Sequence, residues 1–212
     1  MDKTLITNIM YYIDTIEDPL LIYSDVSFII RDGEDNYNIN DSQITKISDN
    51  DVFRIMRLDK FGFVKGRTFI NHDHTYIFID MNQITNEYPY VIAHELRHVY
   101  QREQVTETDK NKIFEPKEII DIWKRNISNY DGSETSEYAL QDIEIDANAF
   151  ALYMLNSLFG MRMNKIVGED TDGFKSCMYH MNMSYTMEDI KESCEYNGFN
   201  PKSFDLVSSI PS

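Results

Sequence analysis

Residues 90–101, YVIAHELRHVYQ, set His94 and His98 four positions apart and follow the first with Glu95. Side chains four apart stack on one face of a helix, with β-carbons about 6 Å apart. The spacing therefore predicts a helix from about 87 to 103, with Asn86 as its cap and Glu87 and Pro89 tolerated in its first turn. On that helix both imidazoles can face one cation, at metal–nitrogen distances of about 2.0–2.1 Å. Glu95 lies about 100° further round. That offset sets its carboxylate beside a metal-bound water, where a general base must be. The bland alternative is a solvated helix face on which these residues do nothing in particular.

Two histidines leave zinc under-coordinated, so the pattern demands another ligand from elsewhere in the chain. Residues 142–155, DIEIDANAFALYML, supply a candidate within a longer helix expected from about 136 to 159. Glu144 and Asn148 share a face there. Ile143, Ala147, Phe150, Ala151 and Met154 form the face expected to pack on the first helix. Glu144 would complete a two-His, one-Glu set with a fourth position left for water, and Asn148 would hydrogen-bond a ligand side chain.

These two segments together resemble the gluzincin-type metallopeptidases, most of all the ImmA/IrrE-like group of small cytoplasmic proteases. The resemblance rests on His-Glu-x-x-His in one helix and Glu-x-x-Ala-Asn-x-Phe-Ala in a later one. It implies an α+β, zincin-like fold: a small mixed sheet, an active-site helix and a second ligand-bearing helix. It also implies His94, His98 and Glu144 as zinc ligands, Glu95 as base, and an edge strand that binds the substrate chain, a role that falls here to residues 75–81. Such relatives commonly cut a repressor or similar regulatory protein. Arg97 departs from the pattern, standing where many members carry Gly.

The remaining sequence reads as a single domain over 1–212, with an N-terminal lobe to about 104 and a helical lobe from about 105. Leu5, Ile6, Ile9, Met10, Ile13 and Ile16 mark an amphipathic helix that Asp18-Pro19 should end. LLIYSDVSFII reads as a strand, and DGEDNYNINDSQ as a polar turn region. Residues 61–81 read as two strands turning near Asn71-His72-Asp73. In the second, Thr75, Ile77, Ile79 and Met81 alternate with His74, Tyr76, Phe78 and Asp80. PKEIIDIWKRNI is a helix with Ile119, Ile120, Trp123 and Ile127 on its apolar face. A last helix, capped by Thr186 and Asp189, should stop at Asn197-Gly198. The methionines of MNMSYTM read as gap-filling core.

The net charge of −16, from 36 acidic and 20 basic residues, argues against nucleic-acid or anionic-membrane partners. No apolar run is long enough to cross a bilayer and no leader pattern opens the chain, so a cytoplasmic protein is expected. Two cysteines make no disulfide framework. Among the other histidines, His72 and His74 read as exposed turn residues, and His180 or a tyrosine as a candidate oxyanion donor. Cys177, His180 and Cys194 fit no zinc spacing. The function expected is zinc-dependent hydrolysis of a protein or peptide. The rivals are a non-catalytic metal-bound scaffold that regulates by binding protein, and an acidic DNA mimic.

Overall fold

The apolar stripe at the N-terminus forms α1 (Lys3–Leu20) in a computed structural model that describes residues 3–40, 43–58, 60–61, 65–71, 74–84, 87–129 and 140–203. Helix α1 passes through Pro19 instead of ending before it. The stop is Leu21, left-handed at φ 52°. Its N–H donates to the Asp18 carbonyl while Ile22 N–H donates to that of Glu17, which satisfies two of the carbonyls in the last turn. The expected strand LLIYSDVSFII accordingly loses its first residues to this helix end, and β1 spans Asp25–Asp32.

The polar turn region expected next holds β2 (Asp35–Asn40) and the start of β3 (Gln43–Ile47), antiparallel to each other, with β2 also antiparallel to β1. Asparagine is poor in strands, but β2, which carries three, is paired on both sides, and pairing decides the matter. A buried Asn36 also donates its amide to Asp49 at 2.6 Å. Ser48 and Asp51 form a capping box that starts α2 (Asp49–Met56).

The hairpin expected over 61–81 forms β4 (Gly66–Asn71) and β5 (His74–Asp80), antiparallel, with 72–73 outside the described residues. Strand order in the sheet is β3-β2-β1-β5-β4, with β1 and β5 parallel. The substrate-binding edge expected at 75–81 is therefore wrong: β5 is walled in by β1 and β4, and the edge strand on that side of the sheet is β4. The alternation in β5 holds. Ile77 and Ile79 join the main core, while Phe78 packs with Ile29 and with Val52 and Met56 of α2 on the opposite face.

Helix α3 (Tyr88–Thr106) begins after Glu87; the Asn86 expected as its cap lies outside the described residues. Next come α4 (Lys117–Ser128), α5 (Asp142–Phe159), α6 (Asp172–Ser184) and α7 (Met187–Asn197). Of the expected start of α5 near 136, residues 136–139 lie outside the described part, and the helix opens at Asp142. It is buried on nearly every side from Ile143 to Leu155, as a helix apolar all round must be. Helices α3, α4 and α6 pack around it.

Helix α6 is additional to the expected elements, and the methionines near its end divide. Met181 is core, but Met183 and Met187 are exposed. Thr186 and Asp189 cap α7, and Gly198 ends it in the left-handed region at φ 69°, as the sequence indicated. One buried cluster runs from Ile6 to Phe199, so α1 shares its core with the C-terminal helices. The result is an α+β protein with a five-stranded mixed sheet. Among the described residues no helix is long and apolar enough to cross a membrane.

Candidate metal centre

Val91, Ile92, Leu96, Val99 and Tyr100 bind α3 into the core. The rest of the helix is thereby turned so that His94 and His98 face α5 with their side chains 15% and 12% exposed. From α5, Glu144 meets them. The two Nε2 atoms lie 3.0 Å apart, Glu144 Oε2 is 3.3 Å from His94 Nε2, and Oε1 is 3.4 Å from His98 Nε2. Ligand atoms at zinc distances on tetrahedral directions stand about 3.3 Å from one another. The triangle thus has the size such an ion requires, and among the described residues it is the group of this kind able to hold a metal.

Electrostatics point the same way. Burial opposes charge on both Glu144 and His98, yet each overrides it in the other's favour. His98 beside it, then the hydrogen bonds from His94 and His98, hold Glu144 well below the usual carboxylate range. For His98, burial alone would lower the pKa, but Glu144, then Glu95 and Gln101, raise it to about 9. Two imidazoles and a carboxylate this close are stable only with positive charge among them, a role open to a proton or to a metal ion.

Glu95 stands outside the triangle, 7% exposed, with its Oε2 accepting from Thr68 Oγ1 of β4 at 2.7 Å. A cavity of about 370 Å³ opens over His94, Glu95 and Glu144. Lys65 and Gly66 at the start of β4 form one wall, with Val91 and Tyr90 of α3; Met163, Lys165, Ile166 and Val167, between α5 and α6, form another. Lys65 Nζ is paired with Glu87 at 2.6 Å. Gly66 is there because of close approach: a β-carbon on it would sit 2.5 Å from Val91 Cγ1 and 2.9 Å from Glu95 Oε1.

No protein-family model, curated protein or solved structure matches this chain. Its chemistry is read from its own geometry.

Several expectations are corrected by that geometry. Asn148 does not hold a ligand side chain; its Oδ1 accepts from Tyr90 OH at 2.8 Å. His180 is absent from the cavity lining and directs Nε2 to Glu115 at 3.0 Å. The cavity hydroxyl is Tyr90, its ring stacked 6.3 Å from that of His94 and its pKa pushed up by burial and then by Glu144. His74 belongs to β5, with Nε2 2.8 Å from Ser27 Oγ; His72 is outside the described residues. Both cysteines are free thiols, and burial pushes Cys177 up to about 12.

Residue types alone did not expose the arrangement behind the ligands. Arg97 is fully buried and donates through Nε and Nη2 to Asp146 at 2.8 and 3.2 Å, and through Nη1 to Tyr185 OH at 3.0 Å. Glu115 accepts a further bond from it, at 3.4 Å. The guanidinium also lies over the rings of Tyr100, Trp123 and Phe150. Gln101 touches both this cluster and His98. The available signal was positional: Gln101 falls three residues after His98, and so on the same helix face.

Proposed function

We propose that this chain is a zinc-dependent peptidase of zincin-like fold that cuts a protein or peptide chain lying across the α3–β4 cavity. The observation that carries the reading is the convergence of His94, His98 and Glu144 into a ligand triangle, with the Glu95 carboxylate lining the same cavity. Zinc so held would lower the pKa of a bound water to about 7 and polarise a carbonyl oxygen.

The chain's own residues supply the remainder. Hydrolysis gives the hydroxyl of water to the acyl carbon and its proton to the departing amine, and Glu95 would take that proton from the water and hand it to the amine nitrogen. Thr68 Oγ1, hydrogen-bonded to Oε2, fixes that carboxylate without neutralising it. Tyr90, held as a phenol, would turn its O–H from Asn148 Oδ1 to the oxyanion, taking the place expected of His180. The free edge of β4 would align an extended substrate by strand addition, and Met163, Ile166 and Val167 would contact an apolar side chain.

Glu95→Gln tests the assignment because it keeps the shape of the side chain and removes the base. The variant should bind zinc as the wild type does and lose chelator-sensitive cleavage of a peptide mixture. Wild-type turnover in Glu95→Gln would exclude the base role. Absence of cleavage in the zinc-loaded wild type would exclude the peptidase.

A further inference from the structure

His98 has two ring nitrogens, and only a lone pair on Nε2 can serve the centre. Which nitrogen carries the proton is set by the partner of the other. That partner is Gln101 Oε1, 2.8 Å from Nδ1. An amide side chain presents an acceptor at one end and a donor at the other, so it can impose either tautomer according to its orientation. The orientation is the question.

Two groups behind Gln101 answer it. Its Nε2 donates to the Ile143 carbonyl at 3.0 Å and to Asp146 Oδ2 at 2.7 Å. A carbonyl only accepts, and the same Asp146 oxygen already accepts from Arg97 Nε at 2.8 Å. Turning the amide over would set its oxygen against two acceptors in a buried place, and its N–H against His98. The hydrogen bonds therefore converge on Asp146: His98 Nδ1–H donates to Gln101 and Gln101 to Asp146, while Arg97 donates to Asp146 from the other side.

We propose that Gln101 is a positioning residue for the metal centre, its polarity imposed by Asp146 and Arg97, and that this buried relay commits His98 to the Nδ1–H form with Nε2 free to ligate. It accounts for an arginine inside the His-Glu-x-x-His segment: the guanidinium anchors the far end of the relay. The centre is lopsided as a result. His94 Nδ1 is buried with no hydrogen-bond partner among the described residues. The ring of His94 is held by packing against Tyr90, whereas that of His98 is held by direction.

The proposal rests on the zinc reading, and the test separates the two. Zinc affinity is measured by chelator competition on the full chain at fixed pH, alongside thermal stability of the metal-free protein. Gln101→Met keeps the volume and removes the acceptor; its zinc Kd should rise about 10–100-fold. Asp146→Asn should also weaken zinc, since an amide there can donate to Gln101 and turn it over. The pair Gln101→Glu with Asp146→Asn restores an acceptor for His98 and a donor for residue 101 at unchanged net charge but leaves a carboxylate oxygen against the Ile143 carbonyl, so its Kd should recover part of the way from that of Asp146→Asn toward the wild-type value.

An unchanged Kd in Gln101→Met overturns the relay while leaving the metal site standing, as does a folded double variant that binds no better than Asp146→Asn. Should the double variant not fold, the slowly exchanging Nδ1–H resonance of His98 in the zinc-loaded wild type decides together with Gln101→Met, and its absence overturns the relay. A wild type that binds no zinc overturns the metal reading and the relay with it.

Discussion

Gly66→Ala tests the close approach of β4 to α3 without touching any ligand. The added methyl would lie 2.5 Å from Val91 Cγ1, where carbon atoms prefer about 3.5–4.0 Å, so the contact is about 1 Å too short. Val91 is β-branched and sits in a helix, which leaves it one strongly preferred rotamer, so the strand and helix must part instead. Overpacking of this kind costs about 1–3 kcal/mol, a fall in Tm of about 2–12 °C for a chain of this size. Val91→Ala removes the atom being struck.

In a thermal double-mutant cycle, Gly66→Ala should cost at least about 1 kcal/mol less in the Val91→Ala background than in the wild type. Equal costs in both would refute the steric argument. The methyl also lies 2.9 Å from Glu95 Oε1, a contact that Val91→Ala does not relieve. Turnover should therefore stay depressed in the double variant, by up to about 100-fold for a 1 Å displacement of a reacting group, even where stability recovers.

Zinc at 100 times its Kd should stabilise the protein by about 2.7 kcal/mol, raising Tm by about 5–11 °C, and Glu144→Ala should abolish the rise in a melting assay. Arg97→Met leaves Asp146 buried without its cation and Glu115 with His180 alone, and should cost about 3–5 kcal/mol in chemical denaturation; a loss under 1 kcal/mol would mean the cluster is wet. His180 has its pKa raised, first by its hydrogen bond to Glu115, so its contribution is complete below about pH 6.5 and fades as pH climbs through the higher folded value. Glu115 is depressed against the pull of burial, by His180 and then Arg97, so its share is lost only as acid carries the pH down through its folded pKa. His180→Gln should thus destabilise the protein more at pH 6 than at pH 9, by on the order of 1 kcal/mol or less because the imidazole is partly exposed. An equal loss at both pH values would remove the ion pair from the account.

The ligand triangle was legible because each half of it is local: four-residue spacing in one helix, and a carboxylate on the face of another whose apolar residues name its neighbour. The hairpin of β4 and β5 was legible for the same reason. What the sequence hid depends on distant pairing. Nothing near Ile77 announces that Phe28 lies beside it in a parallel ladder, and that ladder alone turns β5 into an interior strand. Strand β2 was hidden by its asparagines, whose weak strand preference yields to partners on both sides. Arg97 read as a departure from a pattern because its value lies in Asp146, Glu115 and Tyr185, which three other segments bring to it.

Ser193 of α7 donates its hydroxyl to the Thr15 carbonyl of α1, and Tyr12 packs against Phe159 and Phe199. Helix α1, which also packs on α3, therefore waits for α7 before its apolar side is fully covered. At about 5–20 residues per second, the 178 positions from Thr15 to Ser193 take roughly 10–35 s to make. Throughout that interval the nascent chain carries an unclosed core.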